Sequence, residues 1–226
     1  MLAAVALFSG VADFLTYLAL VAVPPLSAAA LAWLVHGGRP ALALLVSPLF
    51  ALAWAAKGTL GGEAAALALS ATACVTLGWL LASVIEPRWL KLGIYATAAV
   101  DAYLVGAELL QSPNSVINAA APGIGLPQLQ FVSFGSARMG FADLFVAALL
   151  AALFARNRPL QLRVAVLAAA VCVASDFLFF AFDLLPATVP LAITLALTEL
   201  TSRLRRGRGW RQPGRDQRGE DAGPRP

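Results

Sequence analysis

Charge is what this sequence has least of. Only 12% of its 226 residues are Asp, Glu, Lys or Arg, and 60% are hydrophobic, where a soluble domain carries about 25% charged and about 45–50% apolar residues. With a mean hydropathy of +0.81, the chain reads as an integral membrane protein. Histidine is nearly missing too, with His36 alone, and the two cysteines, Cys74 and Cys172, each sit in an apolar run without a Cys or His at ligand spacing. That supply argues against disulfide or metal chemistry, so no metal site and no cofactor is expected. Lysine is scarce while Ala, Leu and Arg abound, a composition that hints at a prokaryotic plasma membrane. Eight of the sixteen Lys and Arg residues fall between Arg203 and Arg225. The net charge of +4 therefore describes a tail and not a basic face on a folded domain, and nucleic acid is not an expected partner.

What is there is a series of apolar runs broken by Gly, Pro and charge. A spanning helix needs about 20 mostly apolar residues, and seven spans fit, near residues 12–35, 41–56, 62–84, 91–110, 139–155, 164–184 and 187–203. The expected fold is an all-α polytopic helical bundle of about seven transmembrane helices. Pro24-Pro25 leaves an eighth open, because residues 1–36 read either as one kinked helix or as two. The same residues fit a first span better than a cleavable signal peptide, since no basic segment precedes them. Residues 1–203 form the membrane domain, and 204–226 read as a basic, disordered cytoplasmic tail. Lys and Arg are retained on the cytoplasmic side, which puts inside the tail, the loop with Arg156, Arg158 and Arg163, the loop with Arg88 and Lys91, and Arg39. The long loop near 111–138 falls outside. No internal repeat is visible, which weakens a transporter reading. Gly93 and Gly106 read as close-packing positions between helices.

Seven acids interrupt the apolar runs: Asp13, Asp101, Glu108, Asp143, Asp176, Asp183 and Glu199. Each costs at least about 2.5–3.5 kcal/mol to insert, so each is a functional hypothesis. Two carboxyls held together share one proton, and such a pair hydrolyses amides: the ionised partner takes a proton from water while the protonated one polarises the carbonyl. Asp101 and Asp143 are the candidates, because their spans meet at the same outer loop and reach similar depth. A lone intramembrane acid otherwise serves as a helix–helix hydrogen-bond partner, the reading that suits Asp13, Asp176 and Glu199 best.

The stretch Met139-Gly140-Phe141-Ala142-Asp143-Leu144-Phe145-Val146 resembles the Gly-x-Gly-Asp signature of the presenilin and signal peptide peptidase group of intramembrane aspartyl proteases. Val100-Asp101-Ala102 resembles that family's Tyr-Asp motif on the preceding helix, and Leu185-Pro186-Ala187-Thr188-Val189-Pro190-Leu191 its Pro-Ala-Leu motif. The resemblance covers about residues 91–203 and implies a catalytic core there, with Asp101 and Asp143 catalytic. It implies that Gly140, Phe141, Ala142, Pro186, Ala187 and Thr188 receive substrate, that the substrates are transmembrane proteins or peptides in the lipid bilayer, and that the activity is that of an aspartic endopeptidase. The orientation above is that of the signal peptide peptidase branch. Three positions depart from the pattern: Ala142 stands for the second Gly, Val100 for the Tyr and Thr188 for the Leu. Ala142 adds a methyl where backbone must come close to a neighbour or a substrate, which bears on both specificity and activity.

A helix must give up backbone hydrogen bonds before its peptide bond is attacked, and hydrocarbon offers no water to replace them. The family solution is an unwound substrate strand lying beside the proline motif. The competing class is a proton-coupled transporter or proton relay. Asp101 and Glu108, and likewise Asp176 and Asp183, are seven residues apart and share a helix face. The prepilin peptidase group also carries a Gly-x-Gly-Asp motif, but basic residues follow its second Asp, and Asp143-Leu144-Phe145-Val146 has none. A homologue with a decayed site is the remaining alternative, and Ala142 is its best argument.

Overall fold

The computed structural model describes residues 2–35, 37–107, 120, 122–135, 137–177 and 186–209, and the side chains of these except 2–9, 124, 137, 176 and 205–209. Helix dominates. In chain order the α-helices are α1 (Leu2–Ala29), α2 (Val46–Ala55), α3 (Leu60–Val84), α4 (Pro87–Gly106), α5 (Phe141–Leu153), α6 (Arg158–Asp176) and α7 (Val189–Gly209). Three helical stretches are long and apolar enough to cross a membrane: Gly10–Leu34, Leu60–Val84 and Arg158–Ser175. Pro40–Ala55 and Phe141–Leu153 are apolar but shorter.

Local chemistry explains most boundaries. Pro24 and Pro25 do not split α1, which runs on through them into a π-helical turn, Ala30–Leu34. The carbonyls that Pro24 and Pro25 leave without an i+4 amide are those of Leu20 and Val21, and hydroxyl contacts to α3 hold the helix just beyond them. Here the Thr76 hydroxyl of α3 donates to the Leu26 carbonyl at 2.7 Å, and Ser27 and Thr72 share a hydrogen bond of 2.7 Å. The choice between one helix and two is thus resolved as one. Pro40 opens the 3₁₀ turn (Pro40–Leu45) before α2, and Pro87 opens α4, each where a missing N–H is harmless. Thr59 caps α3 by accepting from the Gly62 amide. Asn157 caps α6 through the Leu160 amide. At its other end the chain continues as helix through Gly209, beyond residue 203, and residues 210–226 lie outside the described ones.

One element is absent from the expected all-α fold. A β-hairpin, β1 (Phe131–Phe134) and β2 (Ala137–Gly140), pairs antiparallel with Phe131 opposite Gly140 and Phe134 opposite Ala137. Its two-residue turn needs a positive φ, which Gly135 supplies at +62°. β2 runs directly into α5. The residues expected to begin the 139–155 span are therefore strand, and α5 keeps 13 residues, about 20 Å at 1.5 Å each.

Two apolar clusters hold the helices. Val23, Val46, Leu69, Ala73 and Leu129 join α1, α2 and α3 to the segment before the hairpin. Leu90, Ile94 and Ala98 of α4 meet Val146, Leu149 and Leu150 of α5, Val164 of α6, and Leu191, Ala192 and Leu195 of α7 in the second. α5 also crosses α3 with almost no gap: a Cβ on Gly78 would lie 2.9 Å from the carbonyl carbon and oxygen of Ala148. Gly93 and Gly106, expected as close-packing positions, have nothing within 4 Å of such a Cβ. Large apolar side chains cover the outside, among them Phe14, Val21, Trp33, Leu44, Val84 and Leu162.

Candidate active site

Three segments distant in sequence supply the site. Asp101 lies on α4 five residues before its end, Asp143 is the third residue of α5, and Pro186-Ala187-Thr188 leads into α7. Both acids are half-buried. The helices that carry them, α4 and α5, pack against each other through Leu90, Ile94, Ala98, Val146, Leu149 and Leu150.

Asp143 Oδ2 accepts from the Gly140 amide at 3.2 Å. Taken alone, this is the bond by which an acid in the first turn caps its own helix. A Cβ on Gly140 would sit 3.3 Å from that same oxygen, so the glycine leaves the carboxylate its place. Phe141, next in the chain, donates its amide to the Gln130 carbonyl at 3.2 Å and packs against the α1–α3 cluster. Ala142 is exposed.

Asp101 is bound from α7. Its Oδ2 accepts from the Thr188 hydroxyl at 2.7 Å and from the Thr188 amide at 3.2 Å. Thr188 is 2% exposed, while Ala187 is exposed and Pro186 half-buried. A hydroxyl just before a helix ordinarily accepts from the first turn of that helix; this one donates across to α4. The two helices run antiparallel and are joined again 15 Å or so further along, at 1.5 Å per residue, where Lys91 Nζ meets Glu199 Oε1 at 2.7 Å and the Tyr95 hydroxyl donates to Glu199 Oε2 at 3.5 Å.

The sequence groups Asp101, Asp143 and the proline motif, and the structure adds three features around them. Both donors of Thr188, a residue expected to receive substrate, go to Asp101. Glu199, expected as a helix–helix hydrogen-bond partner, accepts from Tyr95 and pairs with Lys91, both of α4. The hairpin abutting Asp143 falls where a loop is expected, although Phe131-Val132-Ser133-Phe134-Gly135-Ser136 carries an apolar run followed by a Gly-Ser turn signal. Glu108 and Asp183, the rungs of the carboxyl ladders, and the Asp176 side chain lie outside what is described. Among the described residues no group of three or more His, Cys, Asp or Glu is placed to hold a metal ion. Comparison with family models, with curated proteins and with solved structures finds no match.

Proposed function

We propose that this chain is an intramembrane aspartyl protease that hydrolyses peptide bonds in transmembrane segments with Asp101 and Asp143 as its dyad. The observation that supports it is the meeting of three motif-bearing segments: Asp101 of α4 is hydrogen-bonded to Thr188 of the proline motif, and α4, α7 and the Asp143 helix α5 pack together through Leu90, Ile94, Leu149, Leu150 and Leu195. Seven crossings accompany this reading, with the C-terminus cytoplasmic in a prokaryotic plasma membrane, and the outward apolar side chains then face lipid. The short α5 fits if water and substrate enter where the hairpin replaces its outer turns.

In this mechanism one carboxylate accepts a proton from water as the water attacks the scissile carbonyl carbon. The protonated partner donates a hydrogen bond to the carbonyl oxygen, and the proton later reaches the leaving amine. The unwound substrate needs hydrogen-bond partners, and β2, ending at the Asp143 helix, offers a strand edge.

A photoreactive peptidomimetic with a hydroxyl in place of the scissile carbonyl tests this without a known substrate, because it imitates the tetrahedral intermediate. Detergent-solubilised wild type should be labelled, and Asp101→Asn and Asp143→Asn should each lose labelling while keeping the wild-type thermal melt. A well-folded wild type that takes no label would sink the proposal and direct attention to a proton-flux assay on Glu108→Gln and Asp183→Asn.

A further inference from the structure

Thr188 is where the chain departs from the leucine of the proline motif, and it is the residue bound to Asp101. Leucine has no hydroxyl to give. The Thr188 hydroxyl and amide converge on one oxygen, Oδ2, at 2.7 and 3.2 Å, while Oδ1 has no hydrogen-bond partner among the described residues. Two donors on one oxygen fix the rotation of the carboxyl about its Cβ–Cγ bond, and a bond to a carboxylate is among the stronger kinds. The side chain is buried, so neither donor faces an incoming peptide. The Lys91–Glu199 pair keeps α4 and α7 in the register that aligns these groups.

Resting on the protease reading above, we propose that Thr188 is a positioning residue: it holds Asp101 by Oδ2 and leaves Oδ1 free for the attacking water. The hydroxyl that replaces the family's leucine side chain is thereby part of how this chain sets its dyad. It acts through Asp101 and does not recognise substrate.

The test uses the full chain in detergent with two photoprobes, the hydroxyl peptidomimetic and its matched analogue lacking only the hydroxyl. The quantity read is the ratio of their half-saturating concentrations, which isolates what the dyad contributes. In Thr188→Val, which keeps the shape and the amide but loses the hydroxyl, the preference for the hydroxyl probe should fall by about tenfold or more, the value of a hydrogen bond to a charged group. In Thr188→Ser it should stay near that of the wild type. If Thr188→Val keeps the full preference, or loses affinity for both probes equally, Thr188 does not position Asp101 and the inference fails. A wild type that does not distinguish the probes overturns the protease reading itself, a different result from either of these. A thermal-melt double-mutant cycle of Thr188→Val with Asp101→Ala checks the contact without any probe: strong non-additivity is expected, and simple additivity would overturn the inference.

Discussion

Gly78→Ala adds one methyl where α3 crosses α5. The new Cβ would stand 2.9 Å from the carbonyl carbon and oxygen of Ala148 and 3.0 Å from the Leu149 amide nitrogen. Carbon atoms prefer to be about 3.5–4.0 Å apart, so α3 and α5 must separate by roughly 0.6–1 Å. The neighbour is helix backbone and cannot turn aside as a flexible side chain would. Overpacking of this kind costs about 1–3 kcal/mol, offset by the gain of about 1 kcal/mol that Ala brings to a helix interior. Gly93→Ala supplies the control, because it collects the gain and meets nothing within 4 Å. Gly78→Ala should therefore be less stable than Gly93→Ala by about 1–3 kcal/mol. Denaturant titration in mixed micelles followed by circular dichroism measures the difference. Equal stability of the two variants would refute the claim that α3 and α5 touch backbone to backbone at this point.

Two further outcomes are expected. Gly135→Ala forces a Cβ into a left-handed turn at φ +62° and should cost about 1–2 kcal/mol; a melt unchanged from wild type would remove the strained turn from the account. Lys91→Met and Glu199→Gln should each destabilise the fold and couple by about 1 kcal/mol in a double-mutant cycle, near the upper end for ion pairs that keep some solvent; zero coupling would mean that the 2.7 Å contact contributes no stability.

Much of the helical order is legible in the sequence because long apolar runs, punctuated by Pro40, Pro87, Asn157 and Pro190, leave few other readings. What the sequence leaves open depends mostly on partners far along the chain. Pro24-Pro25 suggests a break, and nothing local says that Thr76, some fifty residues on, will bind the Leu26 carbonyl beside them and tie the helix to α3. Gly78 looks like any other glycine in an apolar helix, and only the path of α5 makes it different from Gly93. Phe131–Phe134 is too short a run to declare its period. The acids were conspicuous through their cost in an apolar setting, so Asp101 and Asp143 could be singled out. Which oxygen is held, and by what, depends on where α7 begins.

The two acids belong to different structural neighbourhoods. Asp143 rides on α5, wedged against α3 at Gly78 and tied through Phe141 to the α1–α3 cluster. Asp101 rides on α4, fastened to α7 at both Thr188 and Glu199. The candidate dyad thus straddles a seam, and the packing of α4 and α7 on the inner face of α5, through Leu90, Ile94, Leu149, Leu150 and Leu195, forms its bearing surface. Sliding of one half against the other would change the gap between the carboxyls without breaking a bond that orients either one. Geometry at each acid and distance between them are set by separate parts of the molecule.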